Sequence, residues 1–343
     1  MTCAQCGVDL APNLLVCPAC HALVHAQELK TVATAAEAST AAGNFSEALA
    51  HWRRALELLP PNSNQHAAIR SKIEQLGRRV DSPQSSQAPP KPKWAKGGGA
   101  LGVLGLLLWK LKFLVFIVLT KAKLLLLGLT KASTFISMLL SVGVYWSLWG
   151  WKFAVGIVLS IYVHEMGHVV MLRRYGIKAT APMFIPGLGA FIRLKQYPAS
   201  PHEDARVGLA GPVWGFGAVV ASYLLFLATH APIFAAIAKF GAWINLFNLL
   251  PVWQLDGSHA FRALSKLERA GIAALMLGAW IISHEGLLVL LGIVAAFRAF
   301  GNDSPKERDF PIFLQFAFLI VALSLFTTIP IDTEPKQPLV QSL

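Results

Sequence analysis

Charge is scarce in this sequence: Asp, Glu, Lys and Arg together make up 14% of residues, against about 25% in an average soluble domain. With hydrophobic residues at 55% and a mean hydropathy of +0.54, this shortage excludes a chain that hides its apolar mass in a water-soluble core. It points to a polytopic membrane protein. Cysteine is missing after position 20, and the first twenty-five residues lack the apolar stretch of a cleavable secretory signal. A secreted, disulfide-stapled fold is therefore not expected. Acidic residues are also few, 18 against 30 Lys and Arg, for a formal charge of +12. The cations gather at the ends of apolar segments, where anionic headgroups attract them, so no nucleic-acid partner is expected.

The four cysteines that are present, Cys3, Cys6, Cys17 and Cys20, form two CxxC pairs separated by ten residues. Two such knuckles match a tetrahedral thiolate zinc site, so residues 1–24 read as a zinc ribbon with a structural Zn2+ in a reducing, cytosolic compartment. Residues 25–80 read as soluble helices. The run Gly43-Asn44-Phe45 with Ala48, Trp52, Ala55 and Pro60 resembles the latter half of one tetratricopeptide repeat. A single repeat cannot build a continuous core, so a lone helical hairpin extended by residues 66–76 fits equally well. Either form would serve contact with a protein partner. Residues 81–99, rich in Ser, Gln, Pro, Lys and Gly, read as a flexible linker.

Residues 100–132 are apolar but carry Lys110, Lys112, Lys121, Lys123 and Lys131, a spacing that suits an interfacial helix with snorkelling lysines or a spanning one. Candidate spans follow at 133–149, 151–172, 206–228, 232–250, 269–283, 287–300 and 311–329, giving about six or seven crossings within a domain at 133–330 and a tail at 331–343. Arg173, Arg174, Arg193, Arg206, Arg262, Arg269 and Arg298 fall on one side when the first span starts in the cytosol. The expectation is an all-α integral protein of a bacterial inner membrane with a cytosolic N-terminus.

The span at 151–172 holds His164-Glu165-Met166-Gly167-His168. Two imidazoles and a carboxylate at membrane depth are costly unless something pairs with them, and a divalent metal is the natural partner. On a helix, positions i and i+4 share a face, so His164 and His168 can grip one Zn2+ with Glu165 beside it as general base for hydrolysis. His168 precedes Arg173 by about 7.5 Å of helix axis, below the cytosolic surface and within reach of water. A catalytic zinc usually takes three protein ligands. The outstanding third candidate is Asp256, in the segment Asn248 to Gly257, where Pro251 breaks the helix and Gly257 permits an unusual turn. An ordinary Asp-Gly surface turn is the alternative.

HExxH in a membrane helix, followed by Ala210-Gly211-Pro212 and then by N-x-x-P-x-x-x-L-D-G from Asn248 to Gly257, resembles the site-2 protease family of intramembrane zinc metalloproteases. The likeness covers roughly residues 151–264. It implies that His164, His168 and Asp256 bind the catalytic zinc, that Glu165 is the base, and that Asn248 helps hold substrate or intermediate. It also implies a transmembrane protein substrate within the lipid bilayer, cut near the cytosolic side. A catalytically inactive scaffold of the same fold and a zinc transporter or sensor are the alternatives. The intact Glu165 argues against the first. The gathering of ionisable groups on two segments, rather than along a path, argues against the second.

A substrate helix must unwind before it is cut. The segment 177–195, with Pro182, Pro186, Gly187 and Gly189 ahead of Ala190-Phe191-Ile192-Arg193-Leu194, reads either as a β-hairpin that receives the unwound strand or as a re-entrant loop that packs the site. His202, before Glu203 and Asp204, is expected in a solvated loop, His259 either beside the metal ligands or facing water, and His284-Glu285 in a turn on the far side. Arg262 answers either the charge of the site or the headgroups. Many site-2 proteases carry a PDZ-type module, whereas the soluble part here is N-terminal, so regulation is expected from that end.

Overall fold

The computed structural model describes residues 1–81, 132–187, 189–301 and 303–330. Asp81, the first residue of the linker expected at 81–99, ends a helix, and Ala132, the last of the Lys-rich segment expected at 100–132, begins one; the rest of both segments and the tail from 331 lie outside the described residues. Among those described the chain is helical, with eleven helices and one small antiparallel sheet, as the apolar runs and the hairpin-like segment foretell.

The first twenty-four residues form two matching knuckles. In each, a backbone bond closes a tight turn over the first cysteine: Cys3 N–H donates to Val8 and Cys17 N–H to Ala22, both at 2.9 Å. Gly7 and His21, four residues after each first cysteine, take φ of +76° and +57° to make the turn. Three helices follow, α1 (Ala26–Ala41), α2 (Phe45–Glu57) and α3 (Asn64–Asp81). The third exceeds a simple hairpin and closes a small core of Ala36, Leu49, Trp52, Ile73 and Leu76.

The membrane part comprises α4 (Ala132–Trp149), α5 (Trp151–Arg174), β1 (Met183–Ile185), β2 (Gly189–Phe191), α6 (Pro201–Thr229), α7 (Pro232–Asn248), α8 (Asp256–Ala263), α9 (Lys266–Ser283), α10 (Gly286–Ala299) and α11 (Phe310–Thr327). Four of these, α4, α5, α6 and α11, are long and apolar enough to cross a membrane. Gly150, at φ +81°, turns the chain between α4 and α5. The strands pair in the register Met183 with Phe191 and Ile185 with Gly189.

Two helices start earlier than their apolar runs suggest. Helix α6 begins at Pro201 because Ser200 accepts the Glu203 N–H as an N-cap and proline suits the first turn. Helix α9 begins at Lys266 because Ser265 and Glu268 form a reciprocal capping box. Both starts are polar and carry no hydrophobic period. His202 consequently lies in the first turn of α6, buried, and not in a solvated loop.

The N-terminal helices dock onto the basic end of α5. Their core continues into Leu172, Tyr175, Ile177 and Val207. Gly176, at φ +66°, brings its backbone so close to α2 that a Cβ there would lie 2.6 Å from the Ala50 nitrogen. The buried Arg53 donates to the carbonyls of Tyr175 (3.0 Å) and Tyr197 (3.2 Å) and to Glu203 (2.6 Å). Asp81 at the end of α3 accepts from the Tyr175 hydroxyl, lies 2.8 Å from His202 Nε2 and faces Arg206 at 3.6 Å. His202 Nδ1 in turn meets Asp309, the N-cap of α11. Burial opposes ionisation of Asp81, but His202, Tyr175 and Arg206 outweigh it and hold its pKa below the ordinary carboxylate range.

Candidate active site

Helix α5 supplies His164, Glu165 and His168, with His164 and Glu165 buried and His168 nearly so. The close approach of α6 depends on residues without bulk. A Cβ at Gly167 would collide with the Ala210 carbonyl, and one at Gly211 would fall on Nε2 of His168 and lie 2.6 Å from Nε2 of His164. The Ala210-Gly211-Pro212 run is thus the surface that lets two helices cross at the imidazoles. Asp256 arrives from another direction, as the first residue of α8 after the break at Pro251. Gly257 is required there because a side chain would run into the Leu249 carbonyl, and Ser258 closes the turn by donating to Trp253 O at 2.7 Å.

The three side chains converge. His164 Nε2 and His168 Nε2 are 3.2 Å apart, and the Asp256 oxygens lie 3.0 Å from the first and 3.3 Å from the second. Donors on a tetrahedral zinc with bonds of about 2.0–2.1 Å stand about 3.3 Å from one another, so the spacing suits that ion. Asp256 Oδ2 is buried without a hydrogen-bond partner, as a metal ligand would be. Both Nδ1 atoms have partners that leave Nε2 for a metal: Asn245 Oδ1 for His164 and the Val207 carbonyl for His168, each at 2.8 Å. Asn248 Nδ2 lies 3.5 Å from His164 Nε2.

The cysteines fit a second ion. Cys3 and Cys20 sulfurs are 3.7 Å apart and those of Cys6 and Cys17 3.6 Å, and all four lie within 4.8 Å of one another. No disulfide joins them, and zinc–sulfur bonds of about 2.3 Å put tetrahedral sulfurs about 3.8 Å apart.

Two cavities meet at Glu165 and His164. One, of about 370 Å³, opens between α4 and α7 and is lined by Tyr145, Trp149, Phe240 and Asn248; Gly189 and Ala190 of the hairpin close it. The other, of about 510 Å³, runs past Asp256 and His259 along the strand Ala190 to Leu194. His259 borders this cavity without touching the carboxylate of Asp256: its Nδ1 lies 2.8 Å from Asp204, which also faces Arg262 at 3.4 Å. Arg262 therefore answers Asp204. Asn245 is the residue the sequence reading passes over. It occupies an apolar helix one turn before Asn248, and only its three-residue offset from that motif marks the shared face.

Residues 152–239 match the model of Peptidase family M50. The chain is 26% identical to zinc metalloprotease MJ0392 of Methanocaldococcus jannaschii over 161 residues, 41% of this chain and 46% of that one. It is 33% identical to the probable chloroplastic zinc metalloprotease EGY2 of Arabidopsis thaliana over 226 residues, 50% of this chain and 40% of that one. With the putative zinc metalloprotease Rip3 of Mycobacterium tuberculosis it shares 31% identity over 172 residues, 46% and 42% of the two chains. The chain thus spans less than half the length of these curated relatives. No solved structure matches. The fold is that of a helical protein with four helices long and apolar enough to cross a membrane, and its residues 152–239 are similar to Peptidase family M50.

Proposed function

We propose that this chain is an intramembrane zinc endopeptidase that hydrolyses peptide bonds of membrane-embedded helices near the cytosolic face, with one catalytic and one structural zinc. The carrying observation is the convergence of His164, His168 and Asp256 at 3.0–3.3 Å, on helices separated by about ninety residues of chain. Held by these three, zinc would supply acidified water and polarise the scissile carbonyl. Glu165, one residue along from the first ligand and lining both cavities, takes the proton from the attacking water and returns it to the leaving amine. Asn248 donates toward the substrate from beside His164.

Substrate enters from the lipid through the cavity between α4 and α7 and lies extended beside β2, whose residues Ala190 and Phe191 border the cavity that holds the ligands. The soluble domain sits on the side of Arg173, Arg174 and Arg206, the cytosolic side by the distribution of positive charge. The four cysteines hold the structural ion and fold residues 1–24.

The test is cleavage of a model membrane helix by the full chain in detergent or vesicles, with zinc content measured in parallel. The wild type should cleave, and Glu165→Gln should retain zinc and lose cleavage. Equal turnover by the variant removes the mechanism.

A further inference from the structure

We infer that Asn245 is a positioning residue of the membrane site, fixing His164 in the tautomer whose Nε2 is bare for metal; this rests on the proposed role of His164 as a ligand. The amide orientation follows from its two partners. Nδ2 of Asn245 donates to the Gly241 carbonyl at 2.8 Å, an acceptor that only the NH2 end can satisfy. Oδ1 is therefore the atom 2.8 Å from His164 Nδ1, and an oxygen there requires Nδ1 to carry the proton. A neutral imidazole has one N–H, so Nε2 is left as a lone pair, directed at the Nε2 of His168 and the Asp256 carboxylate.

The amide has no other place to go. Asn245 is 2% exposed, and a Cβ at Gly215 of α6 would overlap its amide atoms. Packing and the Gly241 bond thus hold the rotamer whether or not an ion is bound. The two ligands are served differently: His168 is oriented by a backbone carbonyl, which no substitution removes, whereas His164 depends on one side chain. Asn245 and Asn248, three residues apart on α7, address opposite nitrogens of the same ring.

The full chain in detergent is loaded with zinc and titrated with a competing chelator. Cobalt substitution keeps the sites apart, because thiolate charge-transfer absorption reports the cysteine site alone. Asn245→Leu should weaken zinc at the membrane site by about 10- to 100-fold and leave the cysteine site unchanged. Asn245→Asp, which keeps the acceptor oxygen for His164 but sets its second oxygen against the Gly241 carbonyl, should recover part of the lost affinity. If Asn245→Leu does not fold, Asn245→Ala takes its place. Wild-type affinity without the acceptor, or an Asp variant as weak as the apolar one, would overturn the assignment. A wild type that holds zinc at this site but cleaves no membrane helix would sink the proposed activity while leaving Asn245 to be judged by affinity. A wild type without zinc there would overturn both.

Discussion

Arg53 and Glu203 meet at 2.6 Å, both almost fully buried, although one belongs to a soluble helix and the other to the first turn of a membrane helix 150 residues later. Glu203 also accepts the Ala199 N–H at 2.8 Å, and Gly77 of α3 is bare of side chain where its oxygen approaches. The pair fastens the N-terminal helices to the same end of α5 and α6 that leads to His164, His168 and Asp256. Breaking a buried pair strands a charge and costs about 3–5 kcal/mol. Arg53→Ala should therefore increase hydrogen exchange across α1 to α3 and lower the unfolding temperature of the soluble part, read by exchange mass spectrometry. Unchanged protection would show that the apolar contacts alone hold the module.

Gly211→Ala should remove zinc from the membrane site and spare the cysteine site, because the added methyl falls among the two Nε2 atoms. Metal analysis of the purified variant checks this. Two ions per chain in Gly211→Ala would contradict the placement of α6 against the imidazoles.

The docking should weaken in acid. Asp81 titrates below its ordinary value because His202, Tyr175 and Arg206 favour its charged form over the opposing effect of burial. A carboxyl whose folded pKa is depressed contributes stability above its unfolded value, about 3.9, and loses it as pH falls through the folded value. Asp309, lowered in the same network despite burial, adds to the effect. Exchange protection of α3 should be level from neutral pH to about 5 and fall below about 4, with a shallower fall in Asp81→Asn.

Replacing Cys17, fully buried between the knuckles, by Ser should remove one zinc and unfold residues 1–24 without disturbing the membrane site. Cobalt spectra that lose only the thiolate bands are the expected readout.

The grouping of His164, His168 and Asp256 was legible in the sequence because each part has a local signature: the i, i+4 imidazoles in an apolar run, and the proline break and Asp-Gly turn that aim Asp256. The cysteine knuckles and the hairpin were legible for the same reason. What the sequence could not disclose are pairings made across distance. His202 looks like a loop histidine because the residues that bury it, Asp81 and Asp309, lie 121 and 107 positions away. Arg53 reads as one more cation on an amphipathic helix, and Asn245 as one polar residue in an apolar one. The polar starts of α6 and α9 are set by caps that hydrophobic period does not register.

The most direct test of the account is a zinc-edge anomalous difference map of the full chain. It should show one peak bounded by His164, His168 and Asp256 and a second among the four cysteines. Zinc bound elsewhere, with no peak between the imidazole pair and that carboxylate, would contradict it.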